Sequence, residues 1–237
     1  MPRPRTNGEN AMATYVLVHG AWHGGWCWHD VADLLRSAGH TVHTPTLTGL
    51  GERAHLRSPD TGLATHAEDV RSVLEGEDLR DVKLVGHSYA GFVVRQAADR
   101  VPDRVEELIM LDAWAGSHGE SLLDRASERF RAWVASLADG DVLAVPPPES
   151  VGVTAPDQVA RLKSLLTPHP RLTFTEAAQL TGHVDAVPCR AIVCTPSRMP
   201  FRDLAAEFGW EAAELASGHD AMVTAPDALT RLLLASA

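Results

Sequence analysis

The feature that most constrains this chain is an apolar strand that leads directly into a serine flanked by small residues and then into a helix. Val82-Lys83-Leu84-Val85 is followed at once by Gly86-His87-Ser88-Tyr89-Ala90-Gly91. A sharp strand-to-helix turn presents a serine hydroxyl clear of its neighbours, and the crowded backbone of the turn needs small residues around it. The usual pattern is G-x-S-x-G, and Ala90 is small enough for the last position. The alternative role for Ser88 is a cap on the following helix, and the strand-to-helix context favours a nucleophile instead.

Short apolar runs alternate with helical patterns along the rest of the chain. This alternation predicts an α/β fold with a mostly parallel sheet of about six strands, flanked by helices on both faces. The predicted strands are Thr14–Val18, Thr41–Thr44, Val82–Val85, Val105–Leu111, Cys189–Cys194 and Glu211–Leu215. The predicted helices include Trp28–Ala38, Leu63–Glu75, Tyr89–Arg100 and Ala225–Leu234.

The segment between the fourth and fifth strands is too long for a simple crossover. Residues 115–183 have helical stretches and a triple proline, so we expect a helical cap over the carboxyl edge of the sheet, where α/β proteins place ligands. The core domain then consists of residues 13–114 and 184–237. Residues 1–12 are polar and lack the apolar centre of a signal peptide, which predicts a disordered leader with Met12 as a candidate start.

The composition narrows the classes of partner. A net charge of −10 argues against nucleic acid and anionic membranes, which select Lys and Arg on the contact face. Three cysteines without a C-x-x-C motif predict neither a disulfide framework nor a zinc site, and they fit a cytoplasmic location. No apolar run approaches membrane-spanning length. We expect a small-molecule substrate, no cofactor and no metal, and the sequence leaves a homodimer open.

Two further segments supply partners for Ser88. His219 follows the last strand and precedes the last helix, so it lies across the strand ends from Ser88 and is the expected general base. The segment His19-Gly20-Ala21-Trp22-His23-Gly24-Gly25-Trp26 follows the first strand, and such a glycine-rich turn can aim backbone N–H groups at a developing oxyanion. The amides of Ala21 and Tyr89 are the expected oxyanion hole. The alternative is that this glycine-rich turn is only an ordinary strand-to-helix connection.

Together with Leu47-Thr48-Gly49-Leu50-Gly51-Glu52-Arg53 and Ser217-Gly218-His219-Asp220-Ala221-Met222, these motifs resemble the compact α/β-hydrolases. That group includes plant methyl-salicylate-type esterases, hydroxynitrile lyases and bacterial carboxylesterases. The resemblance implies an α/β-hydrolase fold from Met12 onward. Hydroxynitrile lyases of this group carry a threonine and a lysine where this chain has Gly20 and Asp220, so the resemblance favours ester hydrolysis over cyanohydrin cleavage.

The chain departs from the group at the third catalytic position. Relatives place the acid just after the fifth strand, in a stretch like C-T-x-D-R, whereas this chain has Ser197 there. Asp112, at the end of the fourth strand, keeps the order Ser, Asp, His and is the expected substitute. Asp203 or Glu207 could reach in from the next helix, or the site could be a Ser–His dyad.

The expected substrate pocket contains Gly20, Trp22, His23, His87 and Trp114, which predicts an apolar or aromatic substrate. Trp26 and Trp28 are expected to pack in the core. The first hypothesis is a serine esterase that acts through an acyl-enzyme. The absent acid keeps two others open: a non-hydrolytic biosynthetic enzyme, such as a cyclase, lyase or decarboxylase, and an inactive binding protein.

Overall fold

The computed structural model describes residues 12–197 and 199–235. The predicted leader, residues 1–12, lies outside these ranges except for Met12, which is exposed. Strands β1 to β9, numbered in chain order, are Thr14–Val18, Thr41–His43, Val82–His87, Val105–Leu111, Ala138–Asp139, Val142–Leu143, His169–Pro170, Cys189–Thr195 and Glu211–Ala216.

The α-helices are numbered in the same way. Helices α1 to α10 are His29–Ser37, Leu63–Gly76, Ala90–Arg100, Leu122–Arg125, Glu128–Ser136, Pro156–Leu165, Leu172–Thr175, Phe201–Glu207, Ala221–Thr224 and Pro226–Leu234. No helix among the described residues has both the length and the apolar character needed to cross a bilayer.

Six strands form one parallel sheet in the order β2-β1-β3-β4-β8-β9. Parallel neighbours need long crossover connections, and helices on both faces provide them. Successive residues of β1 point to opposite faces, so Val16 packs into one apolar layer and Leu17 into the other, and both are fully buried. The predicted six-stranded α/β sheet is confirmed. Strand β3 extends two residues beyond the prediction, as far as His87.

The segment between β4 and β8 contains more than helices. Helices α4 to α7 are joined by a small antiparallel sheet of order β5-β6-β7, whose strands are two residues long. Strands this short carry no readable periodicity, so the sequence indicated only helices there. The indole N–H of Trp22 donates to the carbonyl of Leu143 in β6 at 3.2 Å, which joins this sheet to the turn after β1.

Candidate active site

Ser88 lies at the turn between β3 and α3, in a left-handed backbone conformation with φ of 54°. Such a conformation is uncommon for a residue other than glycine, and it occurs most often at functional turns. The neighbouring glycines allow this turn. A Cβ atom on Gly91 would lie 2.1 Å from the carbonyl oxygen of Trp114, and one on Gly86 would lie 2.9 Å from that of Ala90. Both distances are shorter than non-bonded atoms permit, which explains why small residues surround the serine.

Three side chains form a continuous hydrogen-bonded line. The Ser88 hydroxyl lies 2.9 Å from Nε2 of His219, and Nδ1 of His219 lies 2.7 Å from Oδ2 of Asp112. The second carboxylate oxygen, Oδ1, accepts from the backbone N–H of Cys194 at 2.9 Å. Asp112 is 1% exposed, so its orientation is fixed by these two donors. The arrangement can take a proton from the serine and hold the resulting imidazolium.

Strand adjacency explains how Asp112 reaches the histidine. It follows β4, and β4 pairs with β8 through Leu111 and Ile192. The N–H of Asp112 donates to the carbonyl of Ile192 at 2.7 Å, and its φ is 42°. The carboxylate thus stands at the edge of the sheet beside the position that follows β8.

The alternative acids lie elsewhere. Ser197 is exposed, and its hydroxyl accepts a hydrogen bond from the N–H of Met199 at 3.0 Å. Asp203 is exposed on α8, and Glu207 forms an ion pair with Arg125. The Nδ1–H of His219 therefore donates to Asp112 and not to either residue of α8.

The surroundings of His219 favour its protonated form. Burial alone would lower its pKa, but the hydrogen bond to Asp112 and the charge of that carboxylate outweigh burial, and the pKa is raised from the ordinary value of 6.5. The ring of Phe201 stacks on the imidazole with centroids 5.6 Å apart, which restricts the ring's orientation. A histidine held in this way is a competent general base above its raised pKa.

The amides expected to form the oxyanion hole are free of protein acceptors. In the described part of the chain, the N–H groups of Ala21 and Tyr89 donate to no other group, whereas the N–H of Trp22 donates to His169 at 3.2 Å. Gly20 brings the two turns together, because a Cβ atom there would lie 3.0 Å from Cβ of Ser88. Two free amides beside a serine nucleophile are the donors that an oxyanion needs.

Three of the expected pocket residues lie beneath the site instead of lining the cavity. His87 turns into the core, and its Nε2–H donates to the backbone carbonyl of His219 at 3.0 Å. His23 forms a buried ion pair with Asp220, Nε2 to Oδ2 at 3.1 Å. Gly20 packs against His87, with room for no side chain. The structure does not bring these three residues to the cavity wall, because the turn after β1 folds inward below the serine.

The ion pair explains why the pKa of His23 is raised and the pKa of Asp220 is lowered. Burial would lower the pKa of His23, but the charge and hydrogen bond of Asp220 raise it. Burial would raise the pKa of Asp220, but His23 lowers it. Asp220 is fully buried and pairs with His23, so it does not line the cavity.

His87, His219 and Asp220 form a cluster whose side chains carry the ligand atoms of a possible metal site. Ligand atoms of His87, His219 and Asp220 lie within 4.8 Å of one another. Both nitrogens of His219 already take part in the line from Ser88 to Asp112. A metal ion bound there would compete with that line, so the contacts within the protein account for the cluster.

The cavity above Ser88 has a volume of about 330 Å³. Trp22 and Trp114 line it, as expected, whereas Trp28 is fully buried in the core. The sequence did not single out most of the cap residues in its wall, although Phe130 and Trp133 lie three residues apart on one face of α5. The lining residues are Ala21, Trp22, Ser88, Tyr89, Trp114, Ser127, Arg129, Phe130, Trp133, Ser150, Val151, Phe174, Met199 and His219.

Comparisons with known proteins identify the family of this chain. A model of the alpha/beta hydrolase family matches residues 15–232. A carbendazim hydrolyzing esterase from Nocardioides sp. (strain SG-4G) is 38% identical over 94% of this chain and 99% of its own. Methyl jasmonate esterase 1 from Vitis vinifera is 35% identical over 42% of this chain and 39% of its own length.

Solved structures show the same fold. An extracellular alpha/beta-hydrolase from a Paenibacillus species superposes with a TM-score of 0.84 at 24% identity, over 94% of this chain and 98% of that one. Tomato methylketone synthase I superposes with a TM-score of 0.81 at 21% identity, over 94% of this chain and 96% of that one.

Proposed function

Because the chain belongs to the alpha/beta hydrolase family, we propose that it is a serine esterase that acts through an acyl-enzyme. Its substrate is an ester, thioester or lactone with a small apolar or aromatic body. The observation that carries this proposal is the hydrogen-bonded line from Ser88 through His219 to Asp112, at the base of an aromatic cavity. The esterase relative that matches nearly the full length supports ester hydrolysis.

The proposed reaction follows from the positions of the three side chains. Oγ of Ser88 attacks the carbonyl carbon while Nε2 of His219 takes the hydroxyl proton, and the negative charge of Asp112 stabilises the imidazolium. The carbonyl oxygen becomes an oxyanion and accepts hydrogen bonds from the amides of Ala21 and Tyr89. His219 then donates its proton to the leaving alcohol or thiol, which departs and leaves an ester on Ser88. Water, deprotonated by His219, attacks this ester and releases the acid and the free serine.

Hydrolysis is favoured over the non-hydrolytic alternatives because the reason for considering them was the missing acid. Asp112 supplies the carboxylate that Ser197 cannot, so the site has every group that hydrolysis requires. The same reasoning argues against an inactive binding protein. The cavity volume of about 330 Å³ suits a small molecule, and aromatic side chains form much of its wall.

The partner and location belong to the same proposal. The substrate is the only partner that the site requires, and neither nucleic acid nor a membrane enters the reaction. The three cysteines are free, which supports a reducing, cytoplasmic setting.

An ester panel with purified protein tests this function. The panel contains aromatic and aliphatic methyl esters, a short thioester, a lactone and carbendazim, the last because of the relative's activity. We expect hydrolysis of at least one aromatic ester and a loss of about 10⁴-fold or more in kcat for Ser88→Ala. Ser150→Ala is the matched control, because that hydroxyl also lies at the cavity but donates only to the carbonyl of Pro147. Equal activity of Ser88→Ala and wild type would refute the proposal.

A further inference from the structure

One permanently charged cation lies at the substrate cavity. Apart from His219 and the phenol of Tyr89, Arg129 is the one ionisable side chain among the lining residues of the described structure. The rest of the lining is aromatic, aliphatic or hydroxyl-bearing, and it contains no carboxylate. An ester without charge would be bound by those surfaces alone, so the cavity gives the guanidinium no evident role in holding a neutral substrate.

Arg129 differs from the arginines on either side of it, Arg125 and Arg131. Arg125 forms ion pairs with Glu120 and Glu207, and Arg131 donates to the backbone carbonyls of Leu123 and Ala126. Within residues 12–197 and 199–235, the guanidinium of Arg129 makes neither an ion pair nor a hydrogen bond. Its five donors are therefore available to a ligand.

The position of Arg129 in its helix also favours an anionic ligand. Helix α5 begins at Glu128, with Ser127 as its cap, so Arg129 is in the first turn. A cation there opposes the helix dipole, which favours negative charge at a helix start. Glu128 satisfies that preference but does not line the cavity, whereas Ser127 and Arg129 do. The dipole at the helix start and the guanidinium thus both favour an anion beside Ser127 and Arg129, which line this wall of the cavity.

We propose that Arg129 is a specificity-determining residue that binds a carboxylate on the substrate, remote from the ester that Ser88 attacks. The inference rests on the proposed esterase function and narrows its substrate class to monoesters with an aromatic or apolar body and a free acid group. The aromatic walls hold the body, and a guanidinium pairs with a carboxylate through two parallel hydrogen bonds. The chain carries a net charge of −10, so a local cation is what allows an acidic substrate to bind.

The experiment compares two esters of the same shape. The acidic ester is the monomethyl ester of 1,4-phenylenediacetic acid, and the neutral ester is methyl 4-ethylphenylacetate. Methylene groups in both separate the ester from the variable group, so the reactivity of the carbonyl is matched. We measure kcat and KM for wild type, Arg129→Gln, Arg129→Lys and Arg231→Gln. Arg231 is the matched control, because it is exposed on α10 and lies away from the cavity lining.

For the acidic ester, we expect Arg129→Gln to lower kcat/KM about tenfold, mainly through KM, and Arg129→Lys to recover part of the loss. Both variants and Arg231→Gln should hydrolyse the neutral ester within about twofold of wild type. If Arg129→Gln lowers activity on both esters equally, or on neither, the specificity role is refuted while the esterase function stands.

Binding of a dicarboxylate ligand provides a second measurement that does not depend on turnover. Calorimetric titration of Ser88→Ala with 1,4-phenylenediacetate should show binding that is about tenfold weaker when Arg129→Gln is added. Equal affinity in the two proteins would overturn the carboxylate site, even if neither ester were hydrolysed. Failure of the esterase function would instead appear as an inactive wild type toward every ester.

Discussion

Replacing Asp112 with asparagine tests whether this carboxylate, and no other, is the acid that pairs with His219. Its two oxygens each accept from a fixed donor, the Nδ1–H of His219 at 2.7 Å and the N–H of Cys194 at 2.9 Å. An asparagine side chain has one acceptor oxygen and one donor nitrogen, so it can satisfy only one of these donors. If its nitrogen faces His219, the imidazole takes the tautomer with the proton on Nε2, which cannot accept the proton of Ser88.

We expect kcat to fall about 10⁴-fold in Asp112→Asn, as for the same change in serine proteases. That loss corresponds to about 5 kcal/mol of activation free energy. If the amide turns the other way, its nitrogen faces the N–H of Cys194, and the unsatisfied donors cost about 1–3 kcal/mol of folding free energy. The assay is steady-state hydrolysis of an ester that wild type cleaves, with urea unfolding measured in parallel.

Asp203→Asn and Glu207→Gln are the matched controls, because both side chains are exposed on α8 and neither contacts His219. Both should keep wild-type turnover within about twofold. Activity of Asp112→Asn within about tenfold of wild type, in a folded protein, would refute the reasoning. A large loss in Asp203→Asn would instead assign the acid to α8.

Three further predictions follow from the site. The pKa of His219 is raised from 6.5, and only the neutral ring can accept the proton of Ser88. The value of kcat/KM should therefore fall as the pH is lowered, with a midpoint above 6.5. A midpoint below 6.5 would contradict the pairing of His219 with Asp112. Asp220→Asn leaves His23 without its buried partner and should lower the free energy of unfolding by about 3–5 kcal/mol in urea titrations; unchanged stability would show that the ion pair does not form. Gly91→Ala places Cβ against the Trp114 carbonyl and should lower kcat about 100-fold or prevent folding. Gly76→Ala is the control, because open space surrounds that position, and it should leave kcat unchanged. Equal behaviour of the two variants would show that close packing at Gly91 is not required.

Local signals in the sequence predicted the sheet, and they also placed Ser88 and His219 where the structure has them. The strand before Ser88 and the small residues around it are all contiguous in the chain, because the turn is made by neighbouring residues. The position of His219 followed from the order of strands, since parallel strands end at one edge of the sheet. These features needed no knowledge of how distant side chains pack.

The remaining features depend on contacts between distant segments. The order Ser, Asp, His favoured Asp112 over Asp203 and Glu207 in the sequence, but its contact with His219 depends on the pairing of β4 with β8 and on the N–H of Cys194, which holds the second oxygen. His87 is the last residue of β3, and its side chain turns into the core, where its Nε2–H donates a hydrogen bond to the carbonyl of His219.

The cap shows the same limit. Its strands of two residues and the exposed position of Arg129 leave no periodic pattern in the sequence. The positions of these residues depend on how the segment between β4 and β8 packs in the folded chain.

Covalent trapping shows whether Ser88 is the residue that carries the acyl group. Wild type is treated with a fluorophosphonate, and the modified residue is identified by peptide mass spectrometry. We expect one adduct per chain, on Ser88, with labelling abolished in Ser88→Ala and greatly slowed in His219→Ala. Hydrolysis of esters by a protein whose Ser88 remains unmodified, or an adduct on another residue that blocks turnover, would contradict this role of Ser88.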